Sequence, residues 1–148
     1  MDVDWKTAQE KAARTARWAV TMTKVRIRQV LSRTRWQLVT FCGKASGESV
    51  GVVDLLAVRK DHGRPILGTK RGDLLQIILI QVKGGSAAMP TIEDCKRLKA
   101  VGKRVHAKQI LLATWTRGHA VRFFVYQQRA AKNGRYWTEV SNLSAIFR

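Results

Sequence analysis

The chain has 148 residues, 45% of them hydrophobic, which suits one domain with its own core and argues against intrinsic disorder. Its 28 Lys and Arg against 10 Asp and Glu leave a formal charge of +18, and such a surface draws polyanions, above all nucleic acid, by releasing condensed counterions. Cys42 and Cys95 lie far apart with no metal-ligand spacing, and the longest apolar runs fall well short of a membrane span, so neither a zinc site, a disulfide framework nor a membrane protein is indicated, and an intracellular, cytoplasmic setting is expected.

Residues 4 to 20 read as a helix, with Asp4 as its cap and Trp5, Ala8, Ala12, Ala16 and Ala19 recurring at spacings of three and four. Thr23 can cap a second helix over about 24 to 34, where Ile27, Val30, Leu31 and Thr34 share a face. The pattern then changes. "WQLVTFC", from Trp36, is rich in strand formers, and the glycine and serine run "GKASGES" breaks it. "VGVVDLLAVRK" follows as a second strand with Asp54 in its middle, flanked by apolar residues on both sides as in a strand buried on both faces. "DHGRPILGTKRGD" reads as a connection or hairpin insert before a third strand over 74 to 83.

"MPTIEDCKRLKAVGK" predicts a helix. Thr91 and Asp94 form a capping-box pattern, Ile92, Cys95, Leu98 and Val101 make the apolar face, and Gly102 is the expected terminator. "KQILLATW" and "AVRFFVYQ" supply two more strands around the turn "TRGH", and the tail "WTEVSNLSAIFR" is ambiguous. Strands in succession followed by a helical crossover to another strand imply a mixed sheet covered by helices, an α/β (α+β) fold. No linker divides the chain, so residues 1–148 form a single domain, with a helical extension at about 1–22.

The third strand ends in "IQVKGG". Side chains alternate across a strand, so Gln81 and Lys83 share one face and Val82 takes the other. If that strand pairs with the one carrying Asp54, a carboxylate, an amide oxygen and an ammonium converge. Hard cations prefer such oxygen donors, and a lysine beside one can position water or stabilise charge developing on a phosphate. Gly84 and Gly85 allow another backbone to come close.

These residues, "GVVDLLAV" followed by "IQVKGG", resemble the PD-(D/E)xK nuclease superfamily, in which an aspartate and a Glu-x-Lys or Gln-x-Lys pair lie at the ends of adjacent strands of a restriction-endonuclease-like αβββαβ core. The resemblance covers about residues 24 to 126 and is strongest to the Holliday junction resolvase and restriction-endonuclease-like branches. It implies a metal-dependent DNA endonuclease, with Mg²⁺ or Mn²⁺ as cofactor, branched or junction DNA as substrate and a homodimer as the assembly. It makes Asp54, Gln81, Lys83 and Glu48 the catalytic set, with Asp54, Gln81 and Glu48 as metal ligands. Glu48 enters because the matching core helix, "KVRIRQVLSRT", contains no acid, and Gln81 takes a place where a glutamate would add charge. Arg59, Lys60, Arg64, Lys70 and Arg71 around the insert, and Lys96, Arg97, Lys99, Lys103 and Arg104 on the following helix, are the expected phosphate contacts. His62, His106 and His119 lack metal-ligand spacing and are assigned no role. Two rival readings stay open: a nucleic-acid-binding protein that keeps this fold without catalysis, and a basic structural protein of a nucleoprotein particle.

Overall fold

The computed structural model describes residues 4–41, 51–86, 89–127, 129 and 135–148. Helix α1 (Trp5–Leu31) leads into strands β1 (Gln37–Thr40), β2 (Leu55–Lys60) and β3 (Leu75–Gly84). Helix α2 (Ile92–Arg104) then crosses to β4 (Gln109–Trp115), followed by β5 (Arg122–Tyr126), β6 (Trp137–Glu139) and a 3₁₀ turn over Leu143–Ala145. Among the described residues the strands form one sheet in the order β1-β2-β3-β4-β5-β6. β3 and β4 are parallel, as their helical crossover requires, and the other neighbours are antiparallel. The sheet is therefore mixed, and the order from α1 through β4 is the expected αβββαβ.

Alternation along the strands divides the sheet into two faces. On one, Leu55, Ala57, Ile78, Ile80, Leu111, Ala113 and Phe123 join Ile27 and Leu31 of α1, with Trp36, Leu143 and Phe147 closing the same core. The chain's last residues thus complete that core, with Phe147 edge-on to Trp36 at 5.9 Å between ring centroids. On the other face, α2 lies over β4, with Gly102 against the Ile110 side chain, and Leu79, Leu98 and Leu112 are buried.

Three sequence expectations are corrected. The two N-terminal helices are one, because "VTMTK" contains no breaker. Thr23 is not a cap but a fully buried residue in the stripe Ala19, Thr23, Ile27 and Leu31, which packs on the sheet at successive i, i+4 positions. The alanine stripe continues past the sheet edge, where Trp5, Ala8 and Ala12 are exposed. Gly102 does not stop α2. Its missing Cβ lets the helix sit on β4, since a Cβ there would lie 2.8 Å from Ile110 Cδ1. The helix ends at Arg104, and two residues further on His106 turns left-handed (φ 52) while the Ala107 N–H returns to the Gly102 carbonyl at 2.8 Å. Finally, Asp54 immediately precedes β2 rather than lying in its middle.

Gly84 and Gly85 do what their lack of a side chain permits. A Cβ on Gly84 would lie 2.7 Å from Ala19 Cβ and 3.2 Å from the Thr15 carbonyl, and Gly85 (φ +67) meets Thr15 Cγ2 in the same way. α1 therefore crosses the end of β3 in close contact. Gly84→Ala is expected to destabilise the fold by about 1–3 kcal/mol, as forced overpacking does, and urea denaturation measures it. An unchanged midpoint would mean that the helix shifts freely at this crossing.

Candidate active site

The register between β2 and β3 decides how the key residues meet. Leu55 pairs with Ile80 as the last rung of an antiparallel ladder, and Asp54 follows directly beyond it. The Asp54 N–H donates to the same Ile80 carbonyl at 3.0 Å, one residue out of the β2–β3 register, so the regular ladder stops at Leu55 and Asp54 sits in a bulge-like position beside the end of β3. Ile80 and Val82 face the α1 core, so Gln81 and Lys83 face the side covered by α2. Asp54 is brought to the same carboxyl end of β3, where its carboxylate is held on the Val82 N–H between them.

Their environments differ in ways that bear on chemistry. Asp54 Oδ2 accepts a hydrogen bond from the Val82 N–H at 2.7 Å, which fixes the carboxylate against β3. Burial pushes the Asp54 carboxyl above its ordinary value of 3.8, and the Val82 N–H and the Lys83 charge pull in the opposite direction without cancelling it. Gln81 is 4% exposed, and its Oε1 is buried without a hydrogen-bond donor among the described residues. A buried amide oxygen left unpaired costs on the order of 1–3 kcal/mol. Thr23, Trp36 and Trp137 also carry such atoms, but only Gln81 stands beside a carboxylate and an ammonium.

Lys83 reaches over the first turn of α2, where its Nζ lies 3.7 Å from Asp94 Oδ2. Asp94 is at the third position of that helix. Its N–H is capped by the Thr91 hydroxyl at 3.1 Å, and its Oδ2 accepts from the Thr91 N–H at 3.4 Å, completing the box. The sequence marks Asp94 only as a cap. That it also holds the lysine is visible only once β3 and α2 are packed together. The ion pair is partly exposed and long, so it adds little stability, but it restrains a flexible side chain beside Asp54 and Gln81. Asp94 Oδ1 also lies 3.8 Å from Arg97.

Glu48 lies outside the described residues. Of the basic residues, Lys60, Arg64, Lys70 and Arg71 are exposed at and beyond the end of β2, and Lys96, Arg97, Lys99, Lys103 and Arg104 are exposed on α2, the helix that flanks the site. Lys96 is paired with Glu93 at 3.3 Å. Arg59 is used internally: its guanidinium donates to Gln76 Oε1 at 2.7 Å and to the Arg148 carbonyl at 2.9 Å, and lies 4.5 Å from the Trp36 ring centroid.

No family profile matches the chain, and no curated protein matches it. Among solved structures the fold is similar to Hjc of Archaeoglobus fulgidus, a Holliday junction resolvase from an archaeal hyperthermophile. The match covers 86% of this chain and 90% of that one, at 14% identity and a TM-score of 0.42. At that level of likeness the site has to be judged on its own residues. Among them, no described group of three or more His, Cys, Asp or Glu side chains could hold a metal ion, and no described helix is long and apolar enough to cross a membrane.

The donors nonetheless fit a hard divalent cation. Mg²⁺ is commonly bound through one or two carboxylates, with water and substrate phosphate completing its shell. The Asp54 carboxylate on the Val82 N–H, next to an unpaired, buried amide oxygen on Gln81, is such a minimal set, and that oxygen lacks the partner that a cation would supply.

Proposed function

We propose that the protein is a metal-dependent endonuclease that hydrolyses phosphodiester bonds in DNA, acting on branched or junction DNA as a homodimer. The observation that carries this reading is that Asp54, Gln81 and Lys83 lie together at the carboxyl end of β3, with the Asp54 carboxylate on the Val82 N–H and the Gln81 oxygen orphaned. Asp54 and Gln81 would hold Mg²⁺ or Mn²⁺, which when bound supplies Lewis-acid polarisation of a phosphate oxygen and a more acidic water.

The chain's own residues account for the rest. The Asp54 carboxylate, fixed by the Val82 N–H, presents its other oxygen to the site as an acceptor. Lys83 is donor-only, so it can hold the attacking water by its lone pair or stabilise charge as it grows on the phosphate oxygens. Asp94 keeps the ammonium directed there. The exposed cations of α2 and of the connection between β2 and β3 bind the DNA backbone without reading sequence.

The test is cleavage of labelled linear duplex, single-stranded and four-way-junction DNA with Mg²⁺ or Mn²⁺ and with EDTA, beside Lys83→Ala. Metal-dependent cleavage, reduced by about 10²–10³-fold in Lys83→Ala with binding retained, is expected, and the junction is expected to be cut best. A wild-type protein that binds all three DNAs and cuts none would move the function to binding. That second reading has its own support, since an uncharged Gln81 stands where a glutamate would add charge, beside the Asp54 carboxylate on the Val82 N–H.

A further inference from the structure

The ladder that brings Lys83 into the site continues into a pocket that the proposed chemistry does not use. Lys83 pairs with Thr114 of β4, and Thr114 pairs with Arg122 of β5. Directly paired residues share a face, so Thr114 and Arg122 lie on the side that carries Gln81 and Lys83. A pocket of about 220 Å³ opens there, lined by Thr114, Thr116, His119, Ala120 and Arg122.

Its walls are tied to the residues around Lys83. The turn after β4 is closed by the His119 N–H on the Thr116 carbonyl at 3.0 Å, with Gly118 left-handed at φ +82. The same segment is joined to the end of β3, where the Gly85 N–H donates to the Trp115 carbonyl at 2.8 Å and the Thr116 hydroxyl approaches the Gly85 carbonyl at 3.5 Å. On the far wall Arg122 donates through Nε and Nη2 to the two oxygens of Glu139, both at 2.8 Å, and its guanidinium lies 5.3 Å from the Phe124 ring centroid. That double bond fixes the arginine and leaves Nη1 free among the described residues.

The pocket's chemistry is that of an oxyanion site. The Thr114 hydroxyl, the His119 imidazole and Arg122 Nη1 can all donate, and a phosphodiester only accepts. Glu139, the acid nearest this wall, already has both oxygens engaged by Arg122. β4 lies about 4.8 Å from β3, and β5 about the same distance beyond it, so the pocket is within one nucleotide's reach of Lys83.

We propose that this pocket is a second phosphate subsite, which takes the phosphodiester adjacent to the one facing Lys83 on the same nucleic-acid strand, with Thr114, His119 and Arg122 as its donors. This rests on the proposed function only in assigning the first phosphate to Lys83. His119, which its sequence spacing leaves without a role, then becomes a binding residue.

Two thymidine dinucleotides test it, one with a single internal phosphate and one that also carries a 5′ phosphate, titrated in EDTA and followed by amide NMR shifts. The second phosphate is expected to tighten binding to the wild type by about tenfold or more, with shifts at 114–122, and the Thr114→Val, His119→Ala double variant is expected to lose that increment while binding the singly phosphorylated dinucleotide as before. The amide spectrum of the variant reports its fold directly. Equal binding of the two probes to the wild type, or equal loss of both in the variant, overturns the subsite. Lys83→Ala separates the two ideas: if it leaves the singly phosphorylated probe unaffected, the assignment of Lys83 fails, whereas the increment from the second phosphate still reports on the pocket.

Discussion

Asp54→Asn is expected to remove cleavage, by at least about 10²-fold as for loss of a key electrostatic group, while leaving the folded protein as stable as the wild type or more so. The asparagine oxygen can still accept from the Val82 N–H, which holds Asp54 at 2.7 Å, so that backbone donor keeps its partner. What disappears is a carboxylate whose ionised form is disfavoured by burial. Because the folded-state carboxyl sits above 3.8, the native protein keeps its proton over a range where the unfolded chain has already released it. The ionised carboxylate therefore lowers stability as pH rises through that window, and its cost is fully present above the raised value. At neutral pH the asparagine escapes the cost.

A divalent cation reverses the balance for the wild type alone. Anything that binds the native state raises its stability by mass action, so Mg²⁺ or Mn²⁺ is expected to raise the melting temperature of the wild type and not that of Asp54→Asn. The wild-type increment should fade with acid, starting above 3.8, because the proton and the cation compete for the same oxygens. Thermal melts across pH, with and without the cation, measure all of this without any substrate. A cation shift of equal size in both proteins would remove Asp54 from the metal site.

Gln81→Glu is expected to have opposite effects with and without metal. Gln81 is 4% exposed and directly precedes Val82, whose N–H holds the Asp54 carboxylate, so a glutamate there places a second carboxylate in a desolvated site. Two such groups cannot both ionise freely, and the pKa of one is driven up. In EDTA the variant should therefore be less stable than the wild type, and increasingly so as pH rises and the retained proton is forced off. With Mg²⁺ the two carboxylates share a cation, and the cation-induced rise in melting temperature should exceed that of the wild type, with about tenfold tighter binding or more. Calorimetric titration gives the affinity directly. If the variant is destabilised but responds to Mg²⁺ no more than the wild type, the Gln81 oxygen is a structural orphan rather than a ligand.

Most of this site was legible because its signals are short in sequence. The alternation that puts Gln81 and Lys83 on one face needs only a strand, and the run "QIILIQVK" leaves little else for it to be. The cap on α2 is equally local, since Thr91 and Asp94 satisfy each other within three residues whatever the rest of the chain does. Charge, too, is a property of composition, and the polyanion affinity it implies needs no fold.

What the tertiary structure decided is non-local. Asp54 reaches the end of β3 because the chain leaves the β2–β3 ladder at its last rung, where the Asp54 N–H turns to the Ile80 carbonyl and its carboxylate to the Val82 N–H. Local pattern could place a cap at Thr23, but packing of the full i, i+4 stripe on the sheet made it the middle of one helix. Gly102, a plausible stop by itself, was a contact point because Ile110 lies beneath it. Asp94 gained Lys83, and His119 gained a place beside Thr114 and Arg122, through crossovers and ladders that join residues far apart in the chain. The sequence by itself settled which residue types stand on each strand and helix, because those preferences are satisfied within a few residues. Which of them face one another depended on strand register and helix packing, whose energies arise only when the whole sheet is assembled.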